Sequence, residues 1–222
     1  MLEKIFKLCA SLSVVALVAG CATPKAYDYT ALKESRPRSI LVLPPVNESP
    51  DVKATYSMLS QVSYPLAEAG YYVLPVTLVN ETFKQNGLNS AAEIHAVSTA
   101  KLKEIFGADA ALYITVNKYG TTYLIIDSVT EVTANAKLVD LKTGKLLWAG
   151  VASASSSESG NPNGGGIIGA LVMAAIKQIG NSVTDAGHPI AGIASQRLLS
   201  AGHAGGLLYG PRSVSYNKDA VH

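Results

Sequence analysis

The chain has 222 residues, 48% of them hydrophobic and 15% charged, with 18 basic and 16 acidic side chains and a formal charge of +2. That near balance excludes the basic footprint of a nucleic-acid binder, and charge is sparse beside the ~25% usual in soluble domains. Gly, Ala, Ser and Thr are abundant, and Tyr outnumbers Phe by 11 to 3.

Lys4 and Lys7 precede an apolar run, Leu8 to Val18, interrupted by Ser11 and Ser13 and closing on Val18-Ala19-Gly20-Cys21. The run is about half the ~20 residues of a spanning helix, so it reads as a secretory signal, which ends in small residues before a cleavage point. Here the small residues lead straight into a cysteine, a pattern that resembles the bacterial lipoprotein signal. The resemblance implies cleavage before Cys21, diacylglycerol on its sulfur and an acyl chain on the new amino terminus. Cys9 leaves with the signal, so no thiol remains for a disulfide, a metal or redox chemistry, and no cofactor is expected besides the acyl groups. Two or three acyl chains hold far more firmly than the single chain that binds only marginally. The retention rule of enteric bacteria resembles a demand for Asp after the cysteine, and Ala22 stands there. The expected place is the outer membrane, lipid-anchored, on the periplasmic face.

The reading divides the chain into a signal peptide (1–20), a lipidated tether (21–38), an α/β domain (39–152), a flexible loop with carboxy-terminal helices (153–200) and an irregular tail (201–222). From Ala22 to Arg38, Pro24, Pro37 and scattered charges leave no apolar period to hold a core. Ser39 to Pro45 is apolar on both faces and too short for a helix, so it reads as a buried strand. Ala54 to Ala69 has helical spacing, ends at Gly70 and is kinked or split by Pro65, which cannot donate to the Gln61 carbonyl. Tyr71 to Pro75 is a second strand, completing a parallel βαβ unit. Val76–Gln85, a capping box at Ser90-Ala91-Ala92-Glu93, and Ser98–Phe106 closed by Gly107 predict three short crossover helices.

A third strand starts near Ala110 with Leu112, Ile114 and Val116 on one face, a bulge expected at Gly120, and continuation through Tyr123 to Ile126. It turns at Asp127-Ser128 into Val129–Val139, and a hairpin at Asp140–Gly144 leads to Lys145–Ala152. The fold class is therefore α/β: a mixed sheet with a βαβ start and an antiparallel meander, plus carboxy-terminal helices.

Three features occur in order: the opening strand leaving through Pro44-Pro45-Val46-Asn47, Gly107-Ala108-Asp109-Ala110-Ala111-Leu112 entering a strand, and the hairpin of Ala136–Asp140, Thr143-Gly144 and Leu147-Trp148. Together they resemble a bacterial lipoprotein family that includes a meningococcal genome-derived antigen. The resemblance implies a fold similar to the amino-terminal domain of TolB and the periplasmic domain of the curli export lipoprotein CsgG. The chain shows no long alternating hairpins of the kind a pore of that type would insert.

Ser153 to Gly166 reads as a flexible connection. Its Gly164, Gly166 and Gly169 match G-x-G-x-x-G, but a Ser/Asn/Pro loop precedes them instead of a strand, so nucleotide is not an expected partner. Ile167 to Ile179 is the most apolar helix of the mature chain. It reads either as a helix packed on the sheet or, given the slack before it, as one that docks on a neighbouring subunit or partner through Leu171, Val172, Ala175 and Ile176. His188-Pro189 is expected to break the chain before a last helix, Ile190–Leu199. The histidines, His95, His188, His203 and His222, have no i, i+4 metal partner. Asp109, Asp127, Asp140 and Asp185 read as turn or helix-end residues, and no G-x-S-x-G elbow occurs. The expectation is a non-enzymatic accessory or assembly component of an envelope export system, bound to the membrane and to an envelope protein or further copies of itself. The alternatives are a structural envelope lipoprotein and an activator of a peptidoglycan synthase.

Overall fold

A computed structural model describes residues 27–123, 128–160 and 185–218. Cys21 and its signal, the turn at Asp127 and the apolar stretch Ile167 to Ile179 lie outside the described residues.

β1 (Ser39–Val42) sits at the centre of the architecture, with Ile40 and Val42 facing one side of the sheet and Leu41 and the following Leu43 the other, all 1% exposed or less. Burial on both faces is why the run is apolar throughout. The strand pairs in parallel with β3 (Tyr72–Val73) and with β4 (Ala110–Tyr123). β2 (Val46–Asn47), beyond Pro44-Pro45, continues in parallel along β4. β4, β5 (Ser128–Asp140) and β6 (Leu146–Ser155) form the antiparallel meander, giving the order β3-β1-β4-β5-β6. The mixed α/β sheet is the one expected.

Helices cover both faces. α2 (Ala54–Gln61) and α3 (Ser63–Glu68) are two helices because Pro65 withholds the amide that would have bonded to Gln61. α4 (Val76–Gln85), α5 (Ala91–His95, with both bonds of its capping box) and α6 (Thr99–Phe106, closed by Gly107 at φ 68°) make the crossover. Their Val79, Phe83, Ile94 and Leu102 pack against Leu41, Leu43 and Ala111. On the opposite face Met58, Leu66, Ile190 and Leu198 pack against Ile114, Leu138 and Trp148. Each such side chain contributes ~1.5–3 kcal/mol by leaving water.

The structure corrects four expectations and adds detail to a fifth. Part of the tether is core: α1 (Thr30–Ser35) buries Leu32, and Tyr29 beside it is 7% exposed. An aromatic–aliphatic patch of this size has no period to read, yet it fills the gap beside β6. The bulge in β4 falls at Asn117, between Val116 and Lys118, whereas Gly120 pairs regularly with Glu131. The extra residue is fastened by its amide, which donates to Glu48 Oε2 and accepts from Asn135 Nδ2, both at 2.8 Å. Ser153 to Ser155 belong to β6, and Ser156–Gly160 forms a 3₁₀ turn. His188-Pro189 does not interrupt the last helix, α7 (Gly187–Leu199), because a proline in the first turn has no helical acceptor to lose. The tail is irregular but packed: Leu207 is 1% exposed, and the carbonyls of Gly205, Gly206 and Leu208 accept from Trp148 Nε1, Tyr29 and Tyr71 at 2.9, 2.7 and 2.7 Å.

Candidate functional site

Ser57 and Gln61 lie one turn apart on α2, where helical geometry puts i and i+4 on one face. Tyr119 projects from β4, and Asp185 and His188 come from the start of α7. These elements are packed together by the apolar core, which brings the five polar side chains into one network. Gln61 Nε2 lies 2.8 Å from His188 Nε2, His188 Nδ1 lies 2.9 Å from Ser57 Oγ, and Ser57 Oγ lies 2.8 Å from the Tyr119 oxygen. Both carboxylate oxygens of Asp185 are 2.9 Å from that same phenol.

The carboxylate orders the protons. It can only accept, so Tyr119 donates to Asp185; Ser57 then donates to Tyr119, His188 Nδ1–H donates to Ser57, and His188 Nε2 accepts from Gln61. Burial above all, with the Asp185 carboxylate adding to it, pushes the Tyr119 hydroxyl above its ordinary range and keeps it a donor. The Gly187 amide also donates to Asp185, at 3.0 Å, and a Cβ on Gly187 would stand 2.5 Å from the Tyr119 ring.

Serine, histidine and aspartate are all present, but not in the order of a hydrolytic triad. That chemistry needs the imidazole between the other two, one nitrogen to each. Here Tyr119 stands between Ser57 and Asp185, and the second nitrogen of His188 faces an amide. Ser57 is 8% exposed. What the network does is rivet the start of α7 to α2 and β4. The i, i+4 pair and the Asp185/His188 pair are visible in the sequence, but their meeting across more than a hundred residues is not.

The carboxylates flagged as turn residues are structural clamps. Asp109 Oδ2 accepts from the amides of Arg38 and Ser39 and from Ser39 Oγ at 3.0, 3.1 and 3.0 Å, and Oδ1 faces Lys103 Nζ at 3.4 Å. Partial burial would raise its pKa, but these bonds outweigh it and hold the carboxyl below its ordinary range. Asp140 caps the β5–β6 turn through Oδ1 and reaches Ser35 Oγ through Oδ2. Burial opposes its ionisation too, and the hydrogen bonds again prevail, lowering its pKa. His95 is lowered by burial, although its bond to the Pro44 carbonyl at 3.0 Å works the other way. Among the described residues no group of three or more His, Cys, Asp or Glu is placed to hold a metal ion, and no helix is long and apolar enough to cross a membrane. Cys21, Leu171, Val172, Ala175 and Ile176 lie outside the described residues.

The fold is thus that of a mixed α/β domain whose polar network of Ser57, Gln61, Tyr119, Asp185 and His188 is spent on fastening helices. A family model described as "Putative lipoprotein GNA1162-like" matches residues 27–212, and the chain belongs to that family. It is 53% identical over 209 residues to "Putative lipoprotein NMB1124/NMB1162" of Neisseria meningitidis serogroup B, covering 93% of this chain and 96% of that protein. The crystal structure of lipoprotein GNA1162 from Neisseria meningitidis is 58% identical, covers 66% of this chain and 100% of its own, and superposes with a TM-score of 0.54. The LpoB C-terminal domain from Salmonella enterica matches 52% of this chain and 81% of its own at 18% identity and a TM-score of 0.40, a likeness that bears on neither role nor assembly.

Proposed function

We propose that this chain is a non-enzymatic lipoprotein, anchored through Cys21 to the periplasmic face of the outer membrane, that serves as an accessory or assembly component of an envelope export system. The observation that carries this reading is the shortness of the leash. Folded structure is already present at Tyr27, whose hydroxyl accepts from the Ala149 amide at 2.7 Å, so only residues 22–26 separate the domain from Cys21. Fully extended, they span at most ~20 Å. A domain held so close works on partners at its own membrane, and the same leash is short for a synthase on the far side of the cell wall. The internal network supports a non-enzymatic role, since its donors are satisfied within the chain.

In this reading Leu171, Val172, Ala175 and Ile176 anchor the chain to its envelope partner or to another copy, and Cys21 carries its lipid. Cys21→Ser should abolish incorporation of a fatty-acid analogue and release the chain from the membrane, because a hydroxyl cannot form the thioether. Sucrose-gradient fractionation should place the native chain in the outer-membrane band. Retained labelling in the variant, or recovery of the native chain in the inner-membrane band, refutes the anchoring scheme. Cross-linking of the detergent-extracted chain followed by native gels should yield a defined complex; migration as an isolated monomer refutes the assembly role.

A further inference from the structure

The end of α1 and the carboxy-terminal tail enclose a cleft of ≈ 170 Å³ that the polar network does not use. Its lining includes Lys33 and Arg36 together with Tyr71, Tyr209, Tyr216 and Asn217. The walls are held in place: Tyr71 donates to the Leu208 carbonyl at 2.7 Å, and the amides of Gly210 and Arg212 donate to the carbonyls of Ala69 and Gly70 at 2.7 and 3.0 Å.

Two independent features mark this cleft. First, its lining carries two cations and no acid, and the ion pairs among the described residues use neither Lys33 nor Arg36. Glu34, between them in sequence, is engaged with Lys145 at 2.8 Å. Second, Arg36 (φ 47°) and Asn217 (φ 60°) are the non-glycine residues with positive φ among the described residues, and both line this cleft. Asparagine tolerates that conformation, and Arg36 adopts it as the residue that closes α1, its amide donating to the Leu32 carbonyl at 3.0 Å, so the helix end fixes where its side chain leaves the backbone.

We infer that this cleft binds a phosphate-type oxyanion, with Arg36 and Lys33 as its charge partners and the tyrosine rings against the group that carries it. Arg36 spends Nε on the Lys33 carbonyl at 3.1 Å, which leaves its terminal nitrogens for a two-pronged contact with an oxyanion. Lys33 adds a compact second charge. The volume is below the ~300–1,000 Å³ of sites that enclose a whole small molecule, so the cleft takes the end group of a larger one. The source is either a free phosphate ester or the headgroup of an anionic phospholipid; the second rests on the anchored reading above, because the cleft is built on the segment leading to Cys21.

The test is the melting temperature of the detergent-extracted full chain, in a neutral detergent, titrated with inorganic phosphate against chloride at equal ionic strength. Saturation to ten times Kd should raise the melting temperature by about 3–6 °C. The effect should vanish in Lys33→Gln combined with Arg36→Asn, the asparagine keeping the positive φ. Glycerophosphoglycerol acting at tenfold lower concentration than phosphate, with glycerophosphocholine inert, assigns the site to an anionic headgroup; equal action of phosphate and glycerophosphoglycerol assigns it to free phosphate esters. No difference from chloride in the native chain, or a shift retained by the double variant, overturns the site. Should that variant melt early without ligand, Lys33→Gln alone, on an exposed side chain, must weaken the response at least threefold. The melt does not depend on acylation, so failure here and failure of Cys21 labelling are separate results.

Discussion

Removing the carboxylate of Asp140 tests whether one side chain holds both the hairpin and the amino-terminal segment. Oδ1 accepts from the Lys142 and Thr143 amides at 2.9 and 2.8 Å and from Thr143 Oγ1 at 3.0 Å, while Oδ2 accepts from Ser35 Oγ at 2.5 Å. Asp140 is 9% exposed. A hydrogen bond to a charged group is worth ~1.5–3 kcal/mol, but the turn amides can partly turn to water, so Asp140→Ala should cost about 2–4 kcal/mol in all. Asp140→Asn keeps an acceptor for the turn and should cost about half as much. A cycle with Ser35→Ala should return a coupling of ~0.5–1.5 kcal/mol. The pH dependence has a definite sign. A carboxyl lowered in the folded state contributes stability above its unfolded value of ~3.9, and that contribution is lost as pH falls through the folded pKa. Urea melts at pH 7 and pH 3 should therefore show a smaller acid loss for Asp140→Asn than for the native chain, with Asp109 and Glu93, both also lowered, contributing to the remainder. An Asp140→Ala variant within 0.5 kcal/mol of native, or a cycle with no coupling, refutes the dual role.

Further outcomes follow from other sites. Tyr119→Phe strands Asp185 and Ser57 and should cost ~1–3 kcal/mol in chemical denaturation; a neutral result would mean that the network does not hold α7. Ser195 Oγ, on a residue 0% exposed, has no hydrogen-bond partner among the described residues, so Ser195→Ala should be neutral or stabilise by ~1 kcal/mol, and a loss above 1 kcal/mol contradicts that account. His95 is lowered in the folded state, so its contribution fades as pH falls below its unfolded value of ~6.5; His95→Gln should flatten the stability profile between pH 7 and 5, and an unchanged slope counts against it. Leu171→Asp should abolish assembly while leaving the melt intact if the stretch is an interface; loss of both would return it to a core. Deleting Gly166 to His222 cannot make that distinction, because it removes Ile190, Leu198 and Leu207 from the core.

Much of the scaffold was legible because its signals are local. Pro65, Gly70, Gly107, the Ser90/Glu93 capping box and Gly144 each act over a single turn of chain, where steric and hydrogen-bond preferences of a few residues decide the backbone. The apolar run at Ser39 to Leu43 and the alternation of Leu112, Ile114 and Val116 likewise report burial at the position where it occurs. The bulge expected at Gly120 lies instead at Asn117, since glycine permits an extra residue without requiring one, and Glu48 and Asn135 are in place to bind the Asn117 amide. The packing of the segment from Tyr27 and of the tail around Leu207 is not legible in the sequence for a related reason. Their order comes from Tyr29 meeting Gly206, Trp148 meeting Gly205 and Tyr71 meeting Leu208, contacts made by backbone carbonyls that any residue supplies. The same holds for Ser57 with His188 and for the cleft between Arg36 and Tyr216. Sequence alone determined the order of the main strands and helices and the buried faces; only tertiary structure, by closing long loops around a shared core, decided which polar groups meet and that the fold begins as early as Tyr27.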